Sequence, residues 1–191
     1  FSTLVSVRRA YQDTIQAFVR AIEAQEGEGT GHADRVSRLA ADTGRQLKYR
    51  GKDLECLIYA ALLHDLGNIG AEGELSRESD VRSLSASEMI ENVQVLEPVA
   101  PIFRLVESPE ETGANADVKT IEMAYIVLAA SRIDDFAHER SVTEDLHRVR
   151  ALEHFMSPGS LKNIKAAFLR VATVYGTEFS TGYDGKHLGI R

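Results

Sequence analysis

The apolar run around Leu57-Ile58 and Ala60-Ala61-Leu62-Leu63 ends abruptly on His64-Asp65-Leu66-Gly67-Asn68-Ile69-Gly70. Asp53 opens a helix that carries this run as far as His64, and Gly67 and Gly70 stop it. Adjacent His and Asp place a neutral nitrogen and an anionic oxygen at one helix end. His32 offers a second nitrogen from the start of a neighbouring helix. Two imidazoles and a carboxylate are the minimal grip on a divalent cation. Such a grip points to metal-assisted hydrolysis of a phosphate ester.

The pattern around this trio is helical. The sequence has only four prolines in 191 residues, so long helices meet few breaks. Val5, Ala10-Tyr11, Ile15, Phe18-Val19 and Ile22 recur at three and four residues, which predicts a first amphipathic helix over about 3–25. Gly27, Gly29 and Gly31 break it. A second helix is expected over about 31–48, with Val36, Leu39-Ala40 and Leu47 facing inward, and Gly51 ends the turn that follows. Residues 70–80 are polar and loop-like. Ser85 and Glu88 have the spacing of a capping box ahead of a helix over about 84–92, and another follows over about 96–107. The stretch from Ser108 to Asp117 reads as a loop. Val118 to about His138 is a long apolar helix. Thr143 caps a helix reaching about Phe155, and Ser157-Pro158 opens the last one, with Leu161, Ile164, Phe168 and Val171 inward. No internal repeat and no convincing strand pair stands out. The expected fold class is all-α: a single helical bundle of about seven to eight helices. It divides into an N-terminal helix and glycine-rich turn (1–30), the main helical domain (31–176) and an irregular tail (177–191).

Charge narrows the partners. A formal charge of −7 argues against an extended duplex-binding face, which needs a basic surplus, while leaving room for a local basic pocket around one small phosphate ligand. The single cysteine, Cys56, excludes an internal disulfide. It fits a buried small residue in a reducing, cytoplasmic setting. No apolar run approaches the roughly 20 residues that span a bilayer, and no signal peptide is visible. The chain opens on Phe1 rather than Met, as expected of a piece of a longer protein.

Gly31-His32-Ala33-Asp34-Arg35-Val36, followed by Ala60-Ala61-Leu62-Leu63-His64-Asp65-Leu66-Gly67, resembles the HD superfamily of metal-dependent phosphohydrolases. The subgroup it is most similar to is HD-GYP, whose best-known members hydrolyse cyclic di-GMP. Leu96 to Ile102, Ala124 to Asp134 and Ser157 to Val171 extend the resemblance, which covers about residues 8–175. It implies His32, His64 and Asp65 as metal ligands, with Glu28, four residues before His32, where some members carry a further carboxylate. Asp65 is the catalytic candidate if the chain is active.

The same comparison exposes losses. No histidine lies between His64 and His138, where the subgroup places three more ligands. Arg82 stands where one belongs, and Val106 and Glu107 stand where an adjacent pair belongs. Ser131 occupies the place of the late metal-binding Asp, and Asp134 matches a second Asp three residues on. Asn68 replaces a Lys expected near the phosphate. The Gly-Tyr-Pro segment is missing, and only Thr112-Gly113-Ala114-Asn115-Ala116 stands near its place. Second and third metal positions are therefore expected to be gone. One divalent transition metal such as Fe or Mn, on His32, His64 and Asp65 with help from Glu28, Glu107 or Asp134, is the fullest site this chain can offer. Bare protein is the alternative.

Arg35 and Arg104 are the candidates for a phosphate contact, each with an alternative as an ion-pair partner of a nearby acid. His147 and His154 share a helix face and read, with His138, as surface residues, and His187 lies in the tail. Two functions stay open. One is a degenerate, catalytically impaired HD-GYP-like module in signalling, binding a nucleotide or a partner protein and forming a homodimer. The other is an active phosphohydrolase or phosphodiesterase with a reduced, mononuclear site. A structural bundle in which His64 and Asp65 serve a hydrogen-bond network is a third, weaker reading.

Overall fold

A computed structural model of the chain describes residues 31–66, 93–138 and 144–174, with positions 6, 10, 11, 13–21, 88 and 90. Every element within these residues is helical. They are α1 (His32–Gln46), α2 (Gly51–Leu62), α3 (Ala100–Glu107, entered through a 3-10 turn at Glu97–Val99), α4 (Pro109–Thr112), α5 (Val118–Ala137), α6 (Glu144–Glu153) and α7 (Pro158–Val174). The backbone is also helical over 13–21 and at 88 and 90, within two of the helices that the spacing predicts. The glycine-rich turn before residue 31 and the tail lie outside the described residues.

α5 is the centre of the bundle. Ile121, Met123, Ala124, Ile126 and Ala129 are spread around its circumference and all are buried. A helix that is apolar all round must be enclosed by others, and α1, α2, α3, α6 and α7 pack around it. α1 contributes Val36, Leu39 and Ala40, as their spacing predicts, and Leu47 is half-buried. α7 contributes Ile164, Phe168 and Val171. Glu153 of α6 links two neighbours, accepting from Tyr125 Oη of α5 at 3.1 Å and pairing with Lys165 Nζ of α7 at 3.0 Å.

Local chemistry sets the path from α1 to α2. Gly31 holds φ at +95° immediately before α1. This is a left-handed conformation that a β-carbon disfavours, and it aims the chain so that His32 begins the helix. α1 closes with a double hydrogen bond, Tyr49 N–H to the Gly44 carbonyl at 2.8 Å and Lys48 N–H to the Arg45 carbonyl at 3.0 Å. This is the Schellman arrangement, with Lys48 left-handed at φ 67°. A β-carbon on Gly44 would lie 2.7 Å from Leu57 Cδ2, so that glycine admits the close approach of α2. Tyr49 then turns inward, and its hydroxyl donates to Glu122 Oε2 of α5 at 2.8 Å. Burial, then the Glu122 carboxylate, push the Tyr49 phenol well above the ordinary phenol range.

The stretch expected as a loop over 108–117 is more ordered. Pro109 starts a single helical turn, and Thr112 Oγ1 donates back to the Ser108 carbonyl at 2.7 Å. A 3-10 turn follows at Gly113–Asn115, with Gly113 pressed against the Phe155 ring. Thr112, within that stretch, uses its hydroxyl to close a short helical turn. No helix among the described residues is long and apolar enough to cross a membrane.

Gly31→Ala should lower stability by roughly 1–3 kcal/mol, the cost of forcing a non-glycine residue into this conformation, measured as a shift in denaturation midpoint. Tyr49 gives a pH test. Its folded value is raised, so its contribution is complete below about pH 10 and is lost as pH climbs above that, by up to about 1.4 kcal/mol per unit. Wild type should therefore lose more stability between pH 7 and pH 11 than Tyr49→Phe does. Parallel losses in urea melts would disprove it.

Candidate metal centre

Three elements meet at the start of α1. His32 lies in the first turn of α1 and is 5% exposed. His64 sits just beyond α2, where Leu66 N–H bonds to the Leu63 carbonyl at 2.9 Å and closes a tight turn. Ser131, Asp134 and Asp135, all buried, project from one side of α5.

The outer bonds of each imidazole decide what the inner nitrogens can do. His64 Nδ1 lies 2.9 Å from the Ala61 carbonyl, one of the orphan acceptors at a helix C-terminus. A carbonyl only accepts, so Nδ1 carries the proton and Nε2 keeps its lone pair. His32 Nδ1 lies 2.8 Å from Asp134 Oδ2, and the same logic leaves its Nε2 as the inward atom.

The two Nε2 atoms are 3.2 Å apart. Asp65 Oδ2 stands 3.4 Å from His32 Nε2 and 3.3 Å from His64 Nε2. Three electron-rich atoms thus form a nearly equilateral triangle, which is repulsive unless a positive charge enters it. Donors placed about 2.0–2.2 Å from one ion at tetrahedral angles would lie about 3.3–3.6 Å apart, close to the edges observed. Donor set and spacing both fit a divalent cation. Among the described residues, His32, His64 and Asp65 are the group of His, Cys, Asp and Glu side chains that converge in this way.

Asp134 stands behind the triangle. It holds His32 Nδ1 and receives both arms of Arg35, Nε to Oδ1 at 2.7 Å and Nη2 to Oδ2 at 3.0 Å. Burial alone would raise the Asp134 carboxyl, but the hydrogen bonds from His32 and Arg35 hold it down at about 2. Burial likewise opposes a charge on His32, yet the Asp134 hydrogen bond and the fields of Asp65 and Asp135 outweigh it and raise the imidazole. The carboxylates around His32 therefore favour a cation, whether it arrives as a proton or as a metal.

Ser131 Oγ lies 3.2 Å from His64 Nε2 and 3.5 Å from Asp135 Oδ2. It stands as near to His64 as the other donors do, but a hydroxyl brings no charge. Glu107, at the end of α3, is not a member of the converging group. Arg35 forms the ion pair left open as its alternative, with Asp134 as the acid. Arg104 is exposed, and its carbonyl accepts from Ser108 N–H and Thr112 Oγ1. His138, His147 and His154 are exposed, and His138 Nδ1 donates to the Asp134 carbonyl at 2.8 Å. Cys56 is half-buried. Glu28, Asn68, Arg82 and His187 lie outside the described residues.

Sequence reasoning did not find Asp135 or the orienting position of Asp134. The available signal was two adjacent acids near the end of a largely apolar helix, where charge needs a partner.

Residues 30–129 match the family model of the HD domain. The chain belongs to the HD-domain family. No curated protein and no solved structure matches it. The HD domain is a helical fold associated with metal-dependent phosphohydrolases, and His32, His64 and Asp65 fall inside the matched region as the residues able to hold the ion.

Asp134→Asn keeps the shape but removes the charge that fixes His32. Divalent metal affinity should fall about 10–100-fold, the usual cost of losing an outer partner. Competition against a fluorescent chelator reads this directly, and an unchanged constant would dissociate Asp134 from the site.

Proposed function

We propose that this HD domain is of the HD-GYP type but no longer hydrolyses phosphodiesters, and that it works as a signalling or ligand-binding module holding one divalent ion on His32, His64 and Asp65. The observation that carries this is the fourth position around His64. A neutral serine hydroxyl stands there at 3.2 Å, and the nearby Asp134 is turned away to His32 Nδ1 and Arg35.

Cleaving a phosphodiester requires charge on both the attacking and the leaving oxygen. When bound, a divalent cation in the triangle supplies Lewis acidity for one of them. The chain's own residues do the rest unevenly. His32 and His64 present lone pairs, and Asp65 presents a single negative charge. Arg35, the guanidinium beside the site, is neutralised by Asp134. Asn68, where the resemblance expects a lysine, brings no positive charge. These features support an inherited groove kept for recognition of a nucleotide or partner protein, with chemistry given up; a cytoplasmic setting and a homodimer are part of the same proposal.

One observation favours the active alternative. The Asp65 side chain is half-exposed, at 50%, so the triangle has an open edge, as three-ligand catalytic sites do. Protein purified without chelator should carry about one equivalent of transition metal per chain, consistent with three donors around one ion. It should leave both bis(4-nitrophenyl) phosphate and cyclic di-GMP intact in the presence of Mn²⁺ or Fe²⁺. Turnover that disappears in His64→Ala and Asp65→Ala would establish the enzyme instead.

A further inference from the structure

A second polar site lies on the opposite face of α1. Residues 34, 38, 41 and 45 recur at helical spacing on the side away from His32 and Arg35. With the helical stretch over 13–21 they enclose a groove of about 190 Å³. Arg20, Arg38 and Arg45 line it, with Asp34 and Asp42 between them. The local balance is one positive charge in surplus, in a chain whose formal charge is −7.

The three guanidiniums are not equivalent. Arg20 is pinned from the neighbouring helix, with Nη2 2.6 Å and Nε 2.8 Å from Asp34 Oδ2, and the Asp34 side chain is only 13% exposed. Arg45 pairs with Asp42 on its own helix. Arg38 lies between these pairs and has no ion-pair partner among the described residues. The carboxylates therefore hold two guanidiniums in place while leaving most of their N–H donors unused, and the third is wholly available. The base of the groove is also polar. Ser37 is 6% exposed, and its hydroxyl makes one long contact, 3.5 Å to the Ile58 carbonyl. Ordinary O–H···O bonds are about 2.5–3.0 Å, so this buried donor is poorly satisfied where it stands.

We propose that this groove binds a phosphate group, with Arg38 as the principal ligand, Arg20 and Arg45 flanking it and the Ser37 hydroxyl at its base. Guanidinium forks and a hydroxyl match the several acceptor oxygens of a tetrahedral oxyanion. Ala41 and Ile58 complete the lining. The site is independent of the metal centre, so it stands or falls apart from the function proposed above.

Calorimetric titration of inorganic phosphate into the full chain, stripped of metal by chelator and at low salt, tests this. Saturable binding is expected with a dissociation constant on the order of 1 mM. Arg38→Ala should weaken it at least about tenfold, the scale of one lost charge-assisted interaction. Ser37→Ala should weaken it by a smaller factor, and His64→Ala should leave it unchanged. Adenosine 5′-monophosphate distinguishes the source. Tighter, Arg38-dependent binding assigns the site to a phosphomonoester, and equal binding assigns it to free phosphate. The proposal is overturned by no saturable binding at tenfold higher phosphate, by binding indifferent to Arg38→Ala, or by binding abolished in His64→Ala.

Discussion

The buried carboxylate of Asp134 is the interaction on which the arrangement around the site depends. It lies on the central helix α5, is 1% exposed, and takes bonds from two residues one turn apart on α1, His32 and Arg35. A charge at that depth is tolerable only when it is paired and fully bonded. The pairing in turn fixes where α1 begins relative to α5. It also orients His32 so that one nitrogen faces inward. Packing and chemistry are set by the same atoms.

His64 is oriented by independent means. Its Nδ1 satisfies an orphan carbonyl at the end of α2, so the helix terminus itself chooses the tautomer. The two imidazoles therefore arrive from different helices with their lone pairs aimed at one point. That convergence puts donors at the spacing a divalent cation takes, and in the bare chain a proton on His32 Nε2 bridges to His64 Nε2 at the same place. Ser131 adds a neutral hydroxyl beside His64 Nε2, at 3.2 Å.

Much of the fold was legible because helical periodicity is a local property. Val36, Leu39 and Ala40 on α1, and Ile164, Phe168 and Val171 on α7, are buried as their spacing predicts. The failure over 108–117 has a local cause too, since Pro109 and Thr112 close a turn with groups that also signal loops. For the site, the residue types of His32, His64 and Asp65 and their place at helix ends were readable. The tasks of Arg35 and Asp134 were not, because their contact joins residues 99 positions apart.

What the sequence determined by itself is therefore the inventory: helices, a long apolar one among them, and two histidines and an aspartate placed at helix ends. Those follow from periodicity and from which residue types are present, both indifferent to three-dimensional context. Tertiary structure alone decided which nitrogen of each histidine faces inward, that Asp134 bonds His32 Nδ1 and Arg35, and that Arg38 shares a groove with Arg20. Each depends on distances between helices, and those are set by how whole faces pack against α5.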